Sequence, residues 1–152
     1  MSYQFEELYR EDLKHIKRWE QHYTDKEFYA INKKIRKKLE KLLKKKKKLT
    51  GRENFVAAII LHHRFTIKSS KQALKYAKKA LELGYKRQKW LKAAIIDRLL
   101  QLQGKPQKYG TQIIKLKSGK IKQYKLDDSI TDIERKTMGL PTLKQLKRYL
   151  ES

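Results

Sequence analysis

A chain of 152 residues suits one domain. With 39% hydrophobic and 37% charged residues it is polar for a globular protein, yet it retains enough apolar surface for a core. The absence of cysteine excludes a disulfide framework and a thiolate metal site. A formal net charge of +24 favours polyanionic partners and opposes the compact state through self-repulsion.

The opening segment Met1-Ser-Tyr-Gln-Phe-Glu-Glu-Leu lacks the basic stretch and apolar stretch of a secretory signal. No apolar run approaches the ~18 residues needed to span a bilayer. The expectation is a soluble cytoplasmic protein.

The first predicted helix covers about Phe5 to Tyr23, where Phe5, Leu8, Tyr9, Leu13, Ile16 and Trp19 recur on one stripe. His15 and His22 read as helix-surface residues. Thr24-Asp-Lys-Glu27 is a capping box, in which hydroxyl and carboxylate each satisfy an orphan backbone N–H. It opens a second helix, Asp25 to Lys48, with Phe28, Ile31, Ile35, Leu39 and Leu42 on its buried side. Thr50-Gly-Arg-Glu53 opens a third helix that is apolar nearly all round from Phe55 to Leu61 and is therefore central. It ends at His62-His63-Arg64. Ser69-Ser-Lys-Gln72 is expected to cap a fourth helix, which Gly84 stops. A fifth covers Gln88 to Gln103, with Trp90, Leu91, Ala93, Ala94, Ile95, Ile96, Leu99 and Leu100 around it, and Gly104 and Pro106 end it.

The period then changes. Gln112 to Lys117 and Lys120 to Leu126 flank Ser118-Gly119 and read as a hairpin with a two-residue turn. In that register Leu116 faces Ile121, Ile113 faces Tyr124, Lys115 faces Lys122 and Lys117 faces Lys120. Like charges directly opposite repel, so these lysines splay into water or meet an anion. Thr131-Asp-Ile-Glu134 caps a short helix ending near Gly139, and Pro141 starts a last helix with Leu143, Leu146, Tyr149 and Leu150. The fold class expected is mainly α, a helical domain with one C-terminal β-hairpin. Residues 1–50 form a basic helical part and 51–152 the remaining core.

Asp97 sits mid-helix among Ala93, Ala94, Ile96 and Leu100, and a buried carboxylate needs a partner. Arg98 diverges from it on the helix and cannot easily serve. Two readings stand: an ion pair or cap for a neighbouring loop, or a carboxylate that orients a histidine or binds a ligand. His63 ends the other all-apolar helix. If the two helices are neighbours, His63 and Asp97 form a dyad that fixes the ring tautomer and raises its basicity. The alternative is a half-buried histidine at a negative helix end. Gln107, Tyr109, Gly110, Thr111 and Gln112 supply amide, phenol and hydroxyl groups on a loop with a permissive glycine, suited to a polar ligand or to docking the hairpin. No Walker, dinucleotide, zincin or Ser/His/Asp motif is present, and no cofactor or metal is expected.

Ala57-Ala-Ile-Ile-Leu-His62-His63, Trp90-Leu-Lys-Ala93-Ala94-Ile-Ile-Asp97-Arg98, Gly104-Lys-Pro-Gln107-Lys-Tyr109-Gly110-Thr111-Gln112 and Glu134-Arg135-Lys-Thr-Met-Gly139-Leu-Pro141 follow one another in order. Together they resemble the domain-of-unknown-function family numbered 6624, over about Asn54 to the C-terminus. The family's Gln-His pair falls on His62-His63, so His62 departs from it, and Arg64 stands where a glycine is usual. The resemblance implies that His63, Asp97, Arg98, Gln107, Tyr109, Thr111 and Gln112 share one pocket. It names no ligand.

Outside the resemblance, Lys33, Lys34, Arg36, Lys37, Lys38, Lys41, Lys44, Lys45, Lys46, Lys47 and Lys48 form a basic sleeve, and Lys115, Lys117, Lys120 and Lys122 add a second patch. Lysine rather than arginine favours phosphate contact over base reading. Three functions are weighed. One is sequence-nonspecific binding of nucleic acid or another polyanion. The second is a small hydrolase or group-transfer enzyme, with His63 as acid or base, Asp97 orienting it and Arg98 holding an anionic group. The third is a structural or interaction protein.

Overall fold

A computed structural model describes residues 2–19, 24–116 and 118–152. Seven helices and one hairpin follow in order among these residues: α1 (Tyr3–Trp19), α2 (Asp25–Lys45), α3 (Gly51–His62), α4 (Ile67–Glu82), α5 (Trp90–Leu102), β1 (Ile113–Lys115), β2 (Ile121–Gln123), α6 (Asp132–Thr137) and α7 (Leu143–Glu151). The fold is mainly α with a small antiparallel hairpin near the C-terminus. His22 and Lys117 lie outside the described residues.

The apolar circumference of α3 sets the architecture. Every residue from Glu53 to His62 is buried, and α1, α2 and α4 pack around this helix. Phe5 and Leu8 of α1, Ile35 and Leu39 of α2, Ala73, Ala77 and Ala80 of α4, and Leu91 and Ile95 of α5 join it in one core. The basic N-terminal part thus shares its core with the rest of the chain. A second cluster of Ala93, Tyr109 and Ile130, with Leu126, Met138 and Leu143 against it, roots the C-terminal segment on α5.

The capping boxes at Thr24, Thr50 and Thr131 form as the sequence prescribes. Other boundaries shift. The cap of α4 is Thr66, one turn before Ser69; Ser69 is its reciprocal partner, with its Oγ accepting the Thr66 N–H at 3.2 Å. The cap of α7 is Thr142, paired with Gln145, so Pro141 precedes that helix. Helix α2 stops at Lys45, because Lys46 turns to extended backbone and its ammonium meets buried Glu53 at 2.7 Å. Leu13, Trp19 and Trp90, expected on buried stripes, are exposed. The true stripe of α1 is Phe5, Leu8, Asp12 and His15, so His15 is buried and not a surface residue.

The hairpin register differs by one residue from expectation. Ile113 pairs with Gln123, Ile114 with Lys122 and Lys115 with Ile121. Leu116 N–H donates to Lys120 O at 2.8 Å, and Gly119 N–H donates back to Leu116 O with Gly119 at φ +83°. The connection therefore holds three residues and ends on a left-handed glycine, a geometry that places one more residue in the turn than a two-residue loop. Lys115 and Lys122 are not directly opposed, and Lys120 stands across from Leu116.

Candidate functional site

Asp97 is fully buried on α5 and faces the loop that follows the helix. Its Oδ1 accepts the backbone N–H groups of Lys108 and Tyr109, each at 2.8 Å. Its Oδ2 accepts the Thr111 N–H at 2.9 Å and the Thr111 hydroxyl at 2.6 Å. The carboxylate therefore organises the loop as an internal anion. The backbone donors that the sequence offered to an external oxyanion are aimed at Asp97 itself.

The rest of the loop is equally self-contained. The Gln107 amide is buried, donating to Gln112 O at 3.1 Å and Tyr124 O at 2.8 Å and accepting the Gln112 N–H at 2.8 Å. Gln112 Nε2 donates to Ala94 O at 3.3 Å, and Gln112 Oε1 accepts Arg98 Nε–H at 2.6 Å. Buried Arg135 donates to Tyr109 O and, through Nε, to Pro141 O at 2.7 Å. Gly110 sits at φ +77° in the middle, its carbonyl accepting from Gln123 Nε2 at 3.1 Å. Asp97, Arg98, Gln107, Tyr109, Gly110, Thr111 and Gln112 do come together. They come together as a polar lock that fastens the hairpin to α5.

His63 belongs to a different cluster. Its Nδ1 lies 2.6 Å from Oδ2 of Asp12, a carboxylate of α1 with no exposed surface. The expected His63–Asp97 dyad is replaced by His63–Asp12, because Asp97 spends both oxygens on the loop. Arg64 donates to the other Asp12 oxygen through Nη2 and to Asn32 O through Nη1 at 3.0 Å. Asn32 Oδ1 lies 2.9 Å from His15 Nε2. Three helices are thus joined through one buried ion pair and its neighbours.

Burial is the leading electrostatic influence around this cluster. It pulls His62 well below the ordinary histidine value, aided by the nearby charges of Arg98 and His63. It lowers His15, against the hydrogen bond that Asn32 Oδ1 accepts from the ring. It brings Arg98 down to about 10, partly offset by Tyr124. Arg98 also stacks over Phe65 at 4.4 Å, and Phe65 adopts φ +57°, unusual for a residue other than glycine. Arg98 is the link between the clusters, touching the loop through Gln112 and the end of α3 through Phe65. Its Nη1 and the His62 Nδ1 are buried without a hydrogen-bond partner among the described residues.

Asp12, Asn32, Arg64 and Arg135 were not singled out from sequence. For two of them a signal existed. Asp12 lies on the stripe Phe5-Leu8-Asp12-His15, and Asn32 on Phe28-Asn32-Ile35-Leu39. A polar residue at a core position of an amphipathic helix announces a buried partner. Arg135 gave no such signal, since its acceptors are backbone carbonyls.

The basic sleeve is a surface feature. Lys33, Lys34, Arg36, Lys37, Lys38, Lys41, Lys44, Lys45, Lys47 and Lys48 are exposed. Lys38 is tied to Glu11 at 2.8 Å, Arg36 to Glu40 at 3.6 Å and Lys46 to Glu53. The other lysines of the sleeve have no acidic partner within ion-pair distance among the described residues. On the hairpin Lys115, Lys120 and Lys122 are exposed. A groove of about 360 Å³ runs between α1 and α2, walled by Glu7 and Glu11 on one side and Lys38, Lys41 and Lys45 on the other. Among the described residues no helix is long and apolar enough to cross a membrane, and no group of three His, Asp or Glu side chains is placed to hold a metal ion.

No protein-family model, curated protein or solved structure matches the chain.

Proposed function

We propose that this protein binds nucleic acid, or a polyanion of similar charge density, without sequence preference and through the exposed face of α2. The observation that carries this reading is the row of exposed lysines from Lys33 to Lys45 along α2, of which only Lys38 meets an acidic partner among the described residues, in a chain of net charge +24. Holding so many like charges within one helix costs self-repulsion, which an anion relieves. Lysine is a point charge on a flexible stem and suits phosphate oxygens rather than base edges. The donors of the polar loop are spent internally on Asp97, so the loop contributes to the fold rather than to binding of the polyanion.

Binding by lysine releases counterions from the nucleic acid, so affinity falls with salt. If about six phosphates are neutralised, log K against log salt has a slope near −5 on duplex DNA. Replacing Lys33, Lys37, Lys41 and Lys44 by glutamine lowers the magnitude of that slope by about one for each residue. Absence of a mobility or anisotropy shift at low ionic strength, or a shift indifferent to salt, overturns the proposal.

A further inference from the structure

The α2 face carries more than charge. Tyr29 lies one turn before Lys33 on the same side of the helix and is 62% exposed. Residues 29, 33, 37, 41 and 44 follow the three- and four-residue spacing of one helix stripe. From Tyr29 to Lys44 this stripe is about 22 Å long. Trp19, at the end of α1, is 39% exposed and comes to the same corner. Both rings lean on Phe28, Trp19 at 4.6 Å and Tyr29 edge-on at 5.5 Å. Phe28 is buried, stacked on His15 at 4.9 Å and set against Phe65 at 6.0 Å. The exposed rings are thus held on an anchored base and need little ordering on binding.

An exposed aromatic pair at the head of a lysine row suits a partner with both flat apolar faces and regularly spaced negative charges. Single-stranded nucleic acid has both, since its bases are free to stack while its phosphates meet the lysines. A duplex hides its base faces and offers only the phosphates. A purely anionic polymer such as a polysulfate has no faces to offer.

Resting on the polyanion reading above, we propose that the Trp19–Phe28–Tyr29 corner is a base-stacking platform and that the preferred ligand is single-stranded RNA or DNA, whose backbone then runs along the lysine face of α2.

The test uses the full chain and homopolymer strands of about 12 nucleotides, oligo-U and oligo-dT, beside a duplex of the same length. Trp90→Phe leaves Trp19 as the single tryptophan, because the chain has two. The expected results are quenching of Trp19 fluorescence by both single strands and weaker binding to the duplex at matched salt. Tyr29→Ala lowers single-strand affinity about tenfold while leaving duplex affinity and the salt slope unchanged, and Tyr29→Phe restores it. A preference for oligo-U over oligo-dT assigns RNA as the source, and the reverse assigns DNA; either supports the platform. If Tyr29→Ala binds single strands as the parent does, or loses single strand and duplex alike, the stacking proposal fails while salt-dependent binding leaves the polyanion reading standing. If neither strand nor duplex binds at low salt, both fall.

Discussion

Asp97 shows how one side chain can shape a segment. Its two oxygens accept three backbone N–H groups and a hydroxyl, of which the Tyr109 N–H is fully buried. Hydrogen bonds to a charged acceptor are worth more than neutral ones, and an amide would present two N–H groups to these donors. We expect Asp97→Asn to cost about 2–4 kcal/mol in denaturant unfolding and to raise amide exchange through residues 107–112. A loss below ~0.5 kcal/mol would show that the lock contributes little. His62 gives a pH prediction. Burial depresses its folded value, so the unfolded chain takes up a proton near the ordinary histidine value of 6.5 while the folded chain does not. The stability this confers is complete above pH 6.5 and is lost as pH falls from there towards the depressed value. His15 acts in the same direction. The denaturant midpoint should therefore drop between about pH 6.5 and pH 5, and His62→Gln should flatten part of that drop. An identical pH profile in the variant would contradict it.

At the scale of elements, caps and stops explain most boundaries. Threonine opens α2, α3, α4, α6 and α7 with reciprocal boxes. Glycine closes α4, α5 and α6: Gly84, Gly104 and Gly139 are all left-handed, and in each case the next N–H reaches back to the carbonyl five residues earlier. The boxes with Glu at the fourth position were legible, because that pairing is distinctive. Thr66 escaped because its partner is Ser69, which also reads as a cap in its own right. The hairpin register escaped because one extra turn residue, ended by Gly119, shifts every pair. Two glycines separate backbone strain from crowding. Gly119 has φ +83° and open space around an added Cβ, whereas at Gly110, φ +77°, that Cβ would lie 2.7 Å from Gln123 Nε2 and 3.2 Å from Arg135 Nη1. Gly119→Ala should cost about 1 kcal/mol and Gly110→Ala clearly more, about 2–4 kcal/mol, by thermal or denaturant unfolding. Equal costs would mean that the loop around Gly110 yields freely.

For the molecule as a whole, the dominant fact is charge. A net +24 on a chain of this size is held together by a core that draws on α1 through α5. Screening shortens the reach of the repulsion, from ~10 Å at 0.1 M salt to about 3 Å at 1 M. Unlike a protein stabilised by surface ion pairs, this one should gain stability with salt, by about 1 kcal/mol or roughly 2–4 °C in Tm between low and high ionic strength. A flat or falling Tm would show that pairs such as Lys38–Glu11 outweigh the repulsion of the sleeve. The same added salt weakens binding to nucleic acid, so stability and affinity move in opposite directions.

Sequence alone determined the class of fold, the order of the helices, the central place of α3, and the solvent-facing lysines of α2. These follow from periodicity, capping chemistry and the cost of burying charge, all of which act over a few residues. It also brought Asp97 and the 107–112 loop together as one polar unit, since they are close in the chain. Only the tertiary structure decided whom each buried ionisable group meets. His63 finds Asp12 across 51 positions, and Arg64 finds Asn32 across 32. Such partners are chosen by helix packing, and a side chain accepts whichever complementary group the packing delivers. The exposed corner of Trp19 and Tyr29 was decided in the same way. Trp19 was expected on the buried stripe of α1, but the residues that α1 turns inward are Phe5, Leu8, Asp12 and His15.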